Sequence, residues 1–245
     1  MPSQKDDRRW WILAVLGISQ LMVILDSNIV TIALPNAQHA LRFSNADRQW
    51  IVTAYALAFG SLLLFGGLIA NIIGRKMALI IGLIGFAGAS AIGGASTSFF
   101  MLVSARAAQG VFAALLAPAV LALLTTTFTE NRERGRAFAI YGAIAGAGAA
   151  PGLIPGGLPT SYVSWRYTLV VDLVFAASAA AGAVLLLQRP QTAHHFPIDT
   201  PGVLTVTGGM FSLVYGLAHA QTASWTDTYN LGLLALGVAL LGVFA

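Results

Sequence analysis

The sequence is built from long apolar runs, each close to the roughly 20 residues that an α-helix needs to cross a bilayer. The first run begins at Trp10 and ends at Leu34. Seven more follow, at 50–70, 77–95, 99–124, 137–158, 167–187, 201–220 and 229–245. Short polar segments separate them. Such a chain is predicted to be an all-α polytopic membrane protein with eight spans.

Composition excludes several other classes of protein. Only 9% of the residues are charged and 57% are hydrophobic, whereas soluble domains carry about 25% charged residues. There is no cysteine, and we expect no metal and no cofactor. The net charge of +4 comes with no basic stripe, so no nucleic-acid partner is expected. The absence of phosphate-loop and hydrolase motifs disfavours an ATP-driven pump and an enzyme.

The distribution of Lys and Arg predicts the orientation. Alternate connecting segments, starting with the N-terminus, carry nine of these residues, and the opposite segments carry three. By the positive-inside rule, the N-terminus is expected to be cytoplasmic in a plasma-membrane protein. The expected organisation is a cytoplasmic N-terminus at 1–9, a six-helix half at 10–188, a cytoplasmic loop at 189–200, and two further spans at 201–245. The last span has no polar anchor, which suggests truncation.

Three charged residues lie inside the apolar runs. Asp26 follows Trp10 by 16 residues, about 24 Å along a helix that rises about 1.5 Å per residue. On two descending helices, Arg106 and Asp172 are expected about 10 and 9 Å below the outer face by the same rise. Charges at one depth tend to pair or to line a cavity. These three are therefore predicted to couple proton or substrate binding.

The charge balance of this layer favours a proton site. Burial disfavours the ionised form of a carboxyl group, and a nearby guanidinium favours it. One arginine does not neutralise two aspartates, so one carboxyl is expected to bind a proton near neutral pH. The alternative is a static salt bridge that locks the helices together. For Asp172, hydration near a helix end is a further alternative.

Other polar and small residues allow two interpretations each. Four polar residues could line a cavity or only join neighbouring helices: Gln20, Asn28, Thr31 and Gln109. In the fifth span, glycines recur every four residues and two prolines interrupt the helix. This pattern suits a flexible gate or static close packing. Its residues are Gly148, Pro151, Gly152, Pro155, Gly156 and Gly157.

Several motifs in order give the chain a resemblance to a known family. The stretch LDSNIVTIALP contains Asp26, and LVSARAAQG contains Arg106, Gln109 and Gly110. FPIDTPGVL begins the seventh span, and SWRY follows the glycines of the fifth. The loop GLIANIIGRK supplies Gly67, Gly74, Arg75 and Lys76. In these motifs the chain resembles the major facilitator superfamily, and within it the fourteen-span drug–proton antiporter branch (the EmrB/QacA type).

The chain departs from the pattern of that family at four positions. Asn71 stands where the loop motif has an acidic residue, and Ile72 stands where it has a basic one. Leu153 replaces a proline of the fifth-helix motif, and Asp172 stands where asparagine is frequent. Six further spans of the family are missing from this chain.

The resemblance implies a transporter that works by alternating access in the lipid bilayer. The first six spans would form two inverted three-helix repeats, and the next two an inserted pair. It implies export of hydrophobic or cationic small molecules, with the proton gradient as the energy source and Asp26 and Arg106 as coupling residues. A missing C-terminal half would complete the cavity. The alternative is a non-transporting membrane scaffold or a degenerate half-transporter.

Overall fold

The computed structural model describes residues 4–147, 164–187, 200–220, 225 and 227–244. Within these ranges the regular secondary structure consists of eight α-helices, as the all-α prediction requires. They are α1 (Gln4–Leu41), α2 (Asn45–Ile73), α3 (Arg75–Gly94), α4 (Phe99–Thr127), α5 (Asn131–Ala147), α6 (Arg166–Leu186), α7 (Thr200–Ala220) and α8 (Thr228–Phe244).

Six of these helices are long and apolar enough to cross a membrane: α1, α2, α3, α4, α6 and α7. Helix α5 is described only as far as Ala147, and the apolar helix α8 has 17 residues. The helices match the apolar runs of the sequence closely. The polar residues before the first, second and fifth runs are helical as well. A count of eight spans therefore stays a prediction for α5 and α8.

Serine caps fix the starts of two helices near the expected outer side. At the start of α2, the Ser44 hydroxyl accepts a hydrogen bond from the Asp47 backbone N–H at 3.1 Å. The Asp47 carboxylate accepts one from the Ser44 N–H at 3.2 Å, which completes a capping box. Ser98 caps α4 by accepting from the Met101 N–H at 3.2 Å. These caps satisfy N–H groups that the first helical turn leaves without partners.

The connection between α2 and α3 is shorter than the sequence suggests. The prediction of a loop over the motif that ends at Lys76 is wrong, because α2 continues to Ile73 and α3 begins at Arg75. Only Gly74 separates the two helices, with φ of 89°. That backbone conformation is easily reached only without a Cβ atom. The glycine therefore allows the sharp reversal, and the rest of the motif stays helical.

The helices pack through close backbone contacts. Helix α4 packs against α2 and α3, while α6 packs against α3 and α1. A Cβ atom on Gly66 would overlap the Ala114 carbonyl, and one on Gly110 would overlap the Tyr55 carbonyl. Bare glycine backbone lets α2 and α4 approach this closely. The approach sets the positions of side chains buried between them.

We expect Gly110→Ala to destabilise the fold by about 1–3 kcal/mol, because overpacking forces backbones apart. The added methyl group would also lie 2.9 Å from the Ala58 Cβ. Gly88→Ala is the matched control, since no heavy atom lies within 4 Å of the position that its added Cβ would occupy. Denaturation in mixed micelles measures both variants. Equal stabilities for the two would contradict the close contact of α2 with α4.

Helix α7 packs against both α2 and α8. Aromatic rings contribute to this contact: Tyr215 lies 5.9 Å from the Trp50 ring and 5.9 Å from the Phe211 ring, centroid to centroid. An open apolar groove of about 870 Å³ remains between α2, α4, α7 and α8. The two helices are thus an addition to the side of the six-helix body.

Candidate functional site

Asp26 and Arg106 form a buried ion pair between α1 and α4. Arg106 Nη1 donates to Asp26 Oδ2 at 2.7 Å and to Oδ1 at 2.9 Å. Asp26 is 1% exposed and Arg106 is 2% exposed. Removing one partner of such a pair costs about 3–5 kcal/mol, because the other charge stays buried. The pair therefore holds the two helices in a specific register.

Gln109 connects the ion pair to further polar groups. Its Oε1 accepts from Arg106 Nη1 at 2.7 Å, which leaves its amide nitrogen to donate. That nitrogen donates to Asp26 Oδ1 at 2.8 Å and to Ser90 Oγ at 2.7 Å. The Ser90 hydroxyl in turn donates to Asp172 Oδ2 at 3.1 Å. A continuous buried chain of hydrogen bonds thus joins Asp26 on α1 to Asp172 on α6.

The structure brings together all three intramembrane charges of the sequence analysis and one of its four weaker polar residues, Gln109. Asp172 is fully buried, so it is not a hydrated residue at a helix end. Arg106 and Gln109 share one face of α4 because residues three apart on a helix are neighbours. We call the set Asp26, Ser90, Arg106, Gln109 and Asp172 the polar cluster.

Two contributors were missed by sequence reasoning. Ser90 lies among small residues of α3, where a serine is usually read as packing. Tyr55 of α2 lies under the guanidinium, with Arg106 Cζ 4.6 Å from its ring centroid. That distance suits a cation–π contact. The Arg106 Nε also donates to the Ile51 carbonyl at 3.4 Å, so α2 binds the arginine from a second side.

The other predicted cavity residues of α1 do not join the polar cluster. Asn28 Nδ2 donates to the Ile24 carbonyl at 2.8 Å, and Thr31 Oγ1 donates to the Ser27 carbonyl at 3.0 Å. Both are bonds within α1. Gln20 accepts from the Tyr141 hydroxyl at 2.5 Å, which links α1 to α5. Gln20 thus joins two neighbouring helices, whereas the bonds of Asn28 and Thr31 stay within one helix.

The basic residues of the loop motif bind the ends of other helices. Arg75 Nη1 donates to the Ala122 carbonyl on α4 at 3.3 Å. Lys76 Nζ donates to the Val184 carbonyl at 3.0 Å and also to the Leu187 carbonyl. Cations satisfy the last carbonyls of a helix well. The motif therefore fastens α3 to α4 and α6, while Asn71 is exposed and Gly67 is half-buried on α2.

The sequence also predicted a gate in the fifth span and no bound metal. The residues of the fifth-span gate, Gly148, Pro151, Gly152, Pro155, Gly156 and Gly157, lie outside the described residues. Within the described ranges, no group of three or more His, Cys, Asp or Glu side chains could hold a metal ion. The ionisable groups of the polar cluster are the carboxyl groups of Asp26 and Asp172 and the guanidinium group of Arg106.

The sequence profile of the Major Facilitator Superfamily matches residues 16–245. A puromycin resistance protein of Streptomyces alboniger is 48% identical over 98% of this chain and 48% of its own length. The cephamycin export protein of Amycolatopsis lactamdurans is 37% identical over 95% of this chain and 48% of its own. The tetracenomycin C resistance and export protein of Streptomyces glaucescens is 36% identical over 94% and 43%. The chain thus spans about half the length of these relatives.

Solved structures support the same fold. A bacterial homologue of the human lysosomal transporter Spinster, crystallised inward-facing and unoccupied, aligns with a TM-score of 0.61 at 16% sequence identity. The alignment covers 97% of this chain and 61% of that one. At this identity the likeness shows the fold alone. The all-helical architecture of the chain is thus shared with that structure.

Proposed function

Because the chain belongs to the Major Facilitator Superfamily, we propose that this membrane transporter exports hydrophobic or cationic small molecules in exchange for protons. The coupling residues in this proposal are Asp26, Arg106 and Asp172. Alternating access exposes them to each side of the membrane in turn. Protons and a cationic substrate compete for the carboxyl groups of the polar cluster, which links the two fluxes.

The observation that carries the proposal is the buried pairing of Asp26 with Arg106. Ionisable residues inside a membrane are costly and usually mark ion or substrate pathways. This pair lies between α1 and α4, with α2 packed against the arginine. A cation that approaches Asp26 would have to displace Arg106. Opening of the ion pair would then accompany substrate binding.

The names of the relatives indicate the substrate class. They are described as resistance or export proteins for puromycin, cephamycin and tetracenomycin C. These compounds differ in chemistry, so we propose a broad preference for amphipathic molecules. Puromycin carries an amine beside aromatic groups, which makes it a suitable first probe.

Finer features belong to the same proposal. The pair α7 and α8, packed beside α2, is consistent with the inserted helices of the fourteen-span antiporter branch. The basic N-terminus and the basic connecting segments that alternate with it favour a cytoplasmic N-terminus in the plasma membrane. A C-terminal helical half would supply the opposite wall of the central cavity.

Binding of tetraphenylphosphonium, a hydrophobic cation, to the chain in lipid nanodiscs tests this function. We expect saturable binding that puromycin displaces. Asp26→Asn should weaken the affinity at least about tenfold, or about 1.4 kcal/mol, because the cation loses its carboxylate. Glu130→Gln, which removes a carboxylate from an exposed position, should leave the affinity unchanged.

The result that would contradict this function has two parts. The chain would bind neither tetraphenylphosphonium nor puromycin, and it would copurify in a stable complex with another membrane protein. That outcome would favour the scaffold hypothesis, in which the ion pair only locks α1 against α4. Equal affinities of the wild type and Asp26→Asn would also contradict a coupling role for the carboxylate.

A further inference from the structure

Asp172 is the buried acidic residue whose state the proposed function leaves open. Its side chain is fully buried on α6. Oδ2 accepts from the Ser90 hydroxyl, whereas Oδ1 has no hydrogen-bond partner among the described residues. An ionised carboxylate usually accepts several hydrogen bonds, and a buried one without partners is very costly. One oxygen of this group therefore lacks the stabilisation that a negative charge requires.

The hydrogen-bond directions within the polar cluster leave no donor for that oxygen. The Gln109 oxygen faces Arg106, so both amide hydrogens are directed to Asp26 and Ser90. Ser90 has a single hydroxyl hydrogen, and it is used on Asp172 Oδ2. The donors of Gln109 and Ser90 are thus already in use.

A second carboxyl group lies beside the first. Asp26 and Asp172 are joined through two residues, because Gln109 donates to both Asp26 Oδ1 and Ser90 Oγ, and Ser90 donates to Asp172 Oδ2. Two carboxylates in one buried network repel each other when both are ionised. A proton on one of them removes the repulsion, as in acidic dyads that share one proton.

The proton is better placed on Asp172 than on Asp26. Asp26 accepts two bonds from Arg106 and one from Gln109, so its carboxylate is already paired with a cation. Asp172 accepts one bond from a neutral hydroxyl. The titratable or charged groups around it are Asp26 from α1, Tyr55 from α2 and Arg106 from α4. From α3 it meets the Ser90 hydroxyl.

We propose that Asp172 carries a bound proton in this conformation, so that it is a neutral acid in the same buried network as the Asp26 carboxylate and Arg106. The polar cluster then holds one guanidinium cation, one carboxylate anion and one neutral acid, with no net charge. Arrival of a cation without loss of this proton would leave a buried excess charge. Asp172 therefore supplies the exchangeable proton, and Asp26 supplies the charge that the cation binds.

Infrared spectroscopy of the chain in nanodiscs, with aspartate carboxyl groups labelled with ¹³C, tests this assignment. At neutral pH we expect a label-shifted band of a protonated carboxylic acid in the wild type. The band should disappear in Asp172→Asn, whose amide oxygen can still accept the hydrogen bond from Ser90. It should also disappear in Asp26→Asn, because Asp172 then ionises to pair with Arg106. Glu130→Gln should retain it.

Two results would overturn the assignment. A wild-type spectrum without the band would mean that both aspartates are ionised. This result comes from the wild type alone, so it does not depend on whether any variant folds. A band that survives in Asp172→Asn but not in Asp26→Asn would place the proton on Asp26. The measurement involves no substrate, so the proton assignment can fail while tetraphenylphosphonium binding succeeds, and the reverse also holds.

Discussion

Replacing Arg106 with Met is expected to destabilise the folded chain by about 3–5 kcal/mol. Methionine fills much of the same volume but leaves the Asp26 carboxylate buried without its cation. It also removes the donor to Gln109 and the cation–π contact with Tyr55. The free energy of unfolding in mixed micelles measures the loss. Arg132→Met, at an exposed position on α5, is the matched control and should change stability little.

The pH dependence of the stability lost in Arg106→Met identifies its cause. Without Arg106, Asp26 must bind a proton on folding to avoid a buried unpaired charge. The unfolded state then binds fewer protons than the folded state, so the stability of Arg106→Met should fall as pH rises. The double variant Asp26→Asn with Arg106→Met should recover much of the loss at neutral pH. If Arg106→Met costs no more than Arg132→Met, the ion pair does not hold α1 and α4 together.

The second large effect concerns protons and not stability. Binding of a hydrophobic cation to the wild-type chain is expected to release about one proton, because the polar cluster is neutral before binding and a buried excess charge is costly. Asp26→Asn should abolish this release. In that variant Asp172 has no competing carboxylate, so it pairs with Arg106 as an anion and has no proton to give.

The sequence was sufficient to predict most of the helices. The apolar runs match helices because a bilayer-spanning segment needs both length and low polarity, and both can be read directly. The neighbouring positions of Asp26, Arg106 and Asp172 followed from helix rise and alternating direction alone. The helices and the common depth of the three charged residues were each predicted by a single geometric rule, and no local sequence pattern contradicted that rule.

The direction of side chains around a single helix was harder to predict. Successive residues turn by about 100° in a helix of 3.6 residues per turn. Asn28 and Thr31 are therefore directed far from Asp26, although they lie within two turns of it. Gln109 is three residues after Arg106 and shares its face. On α1, this rotation places Asp26 on a different face of the helix from Asn28 and Thr31.

Other features depend on tertiary contacts that no local pattern shows. Ser90 is one of several small residues on α3, and only the approach of α4 and α6 gives its hydroxyl both partners. Tyr55 is placed under Arg106 by the contact of Gly110 with α2. The reversal at Gly74 was not predicted, because Asn71 interrupts the apolar pattern without ending the helix.

The coupling claim is tested most directly by counting protons as tetraphenylphosphonium binds to the chain in weakly buffered nanodiscs. A pH-indicator dye reports the protons, and the bound cation is measured in the same sample. We predict about one proton released per cation for the wild type and for Glu130→Gln, and none for Asp26→Asn. Saturable binding by the wild type without any proton release would contradict the account.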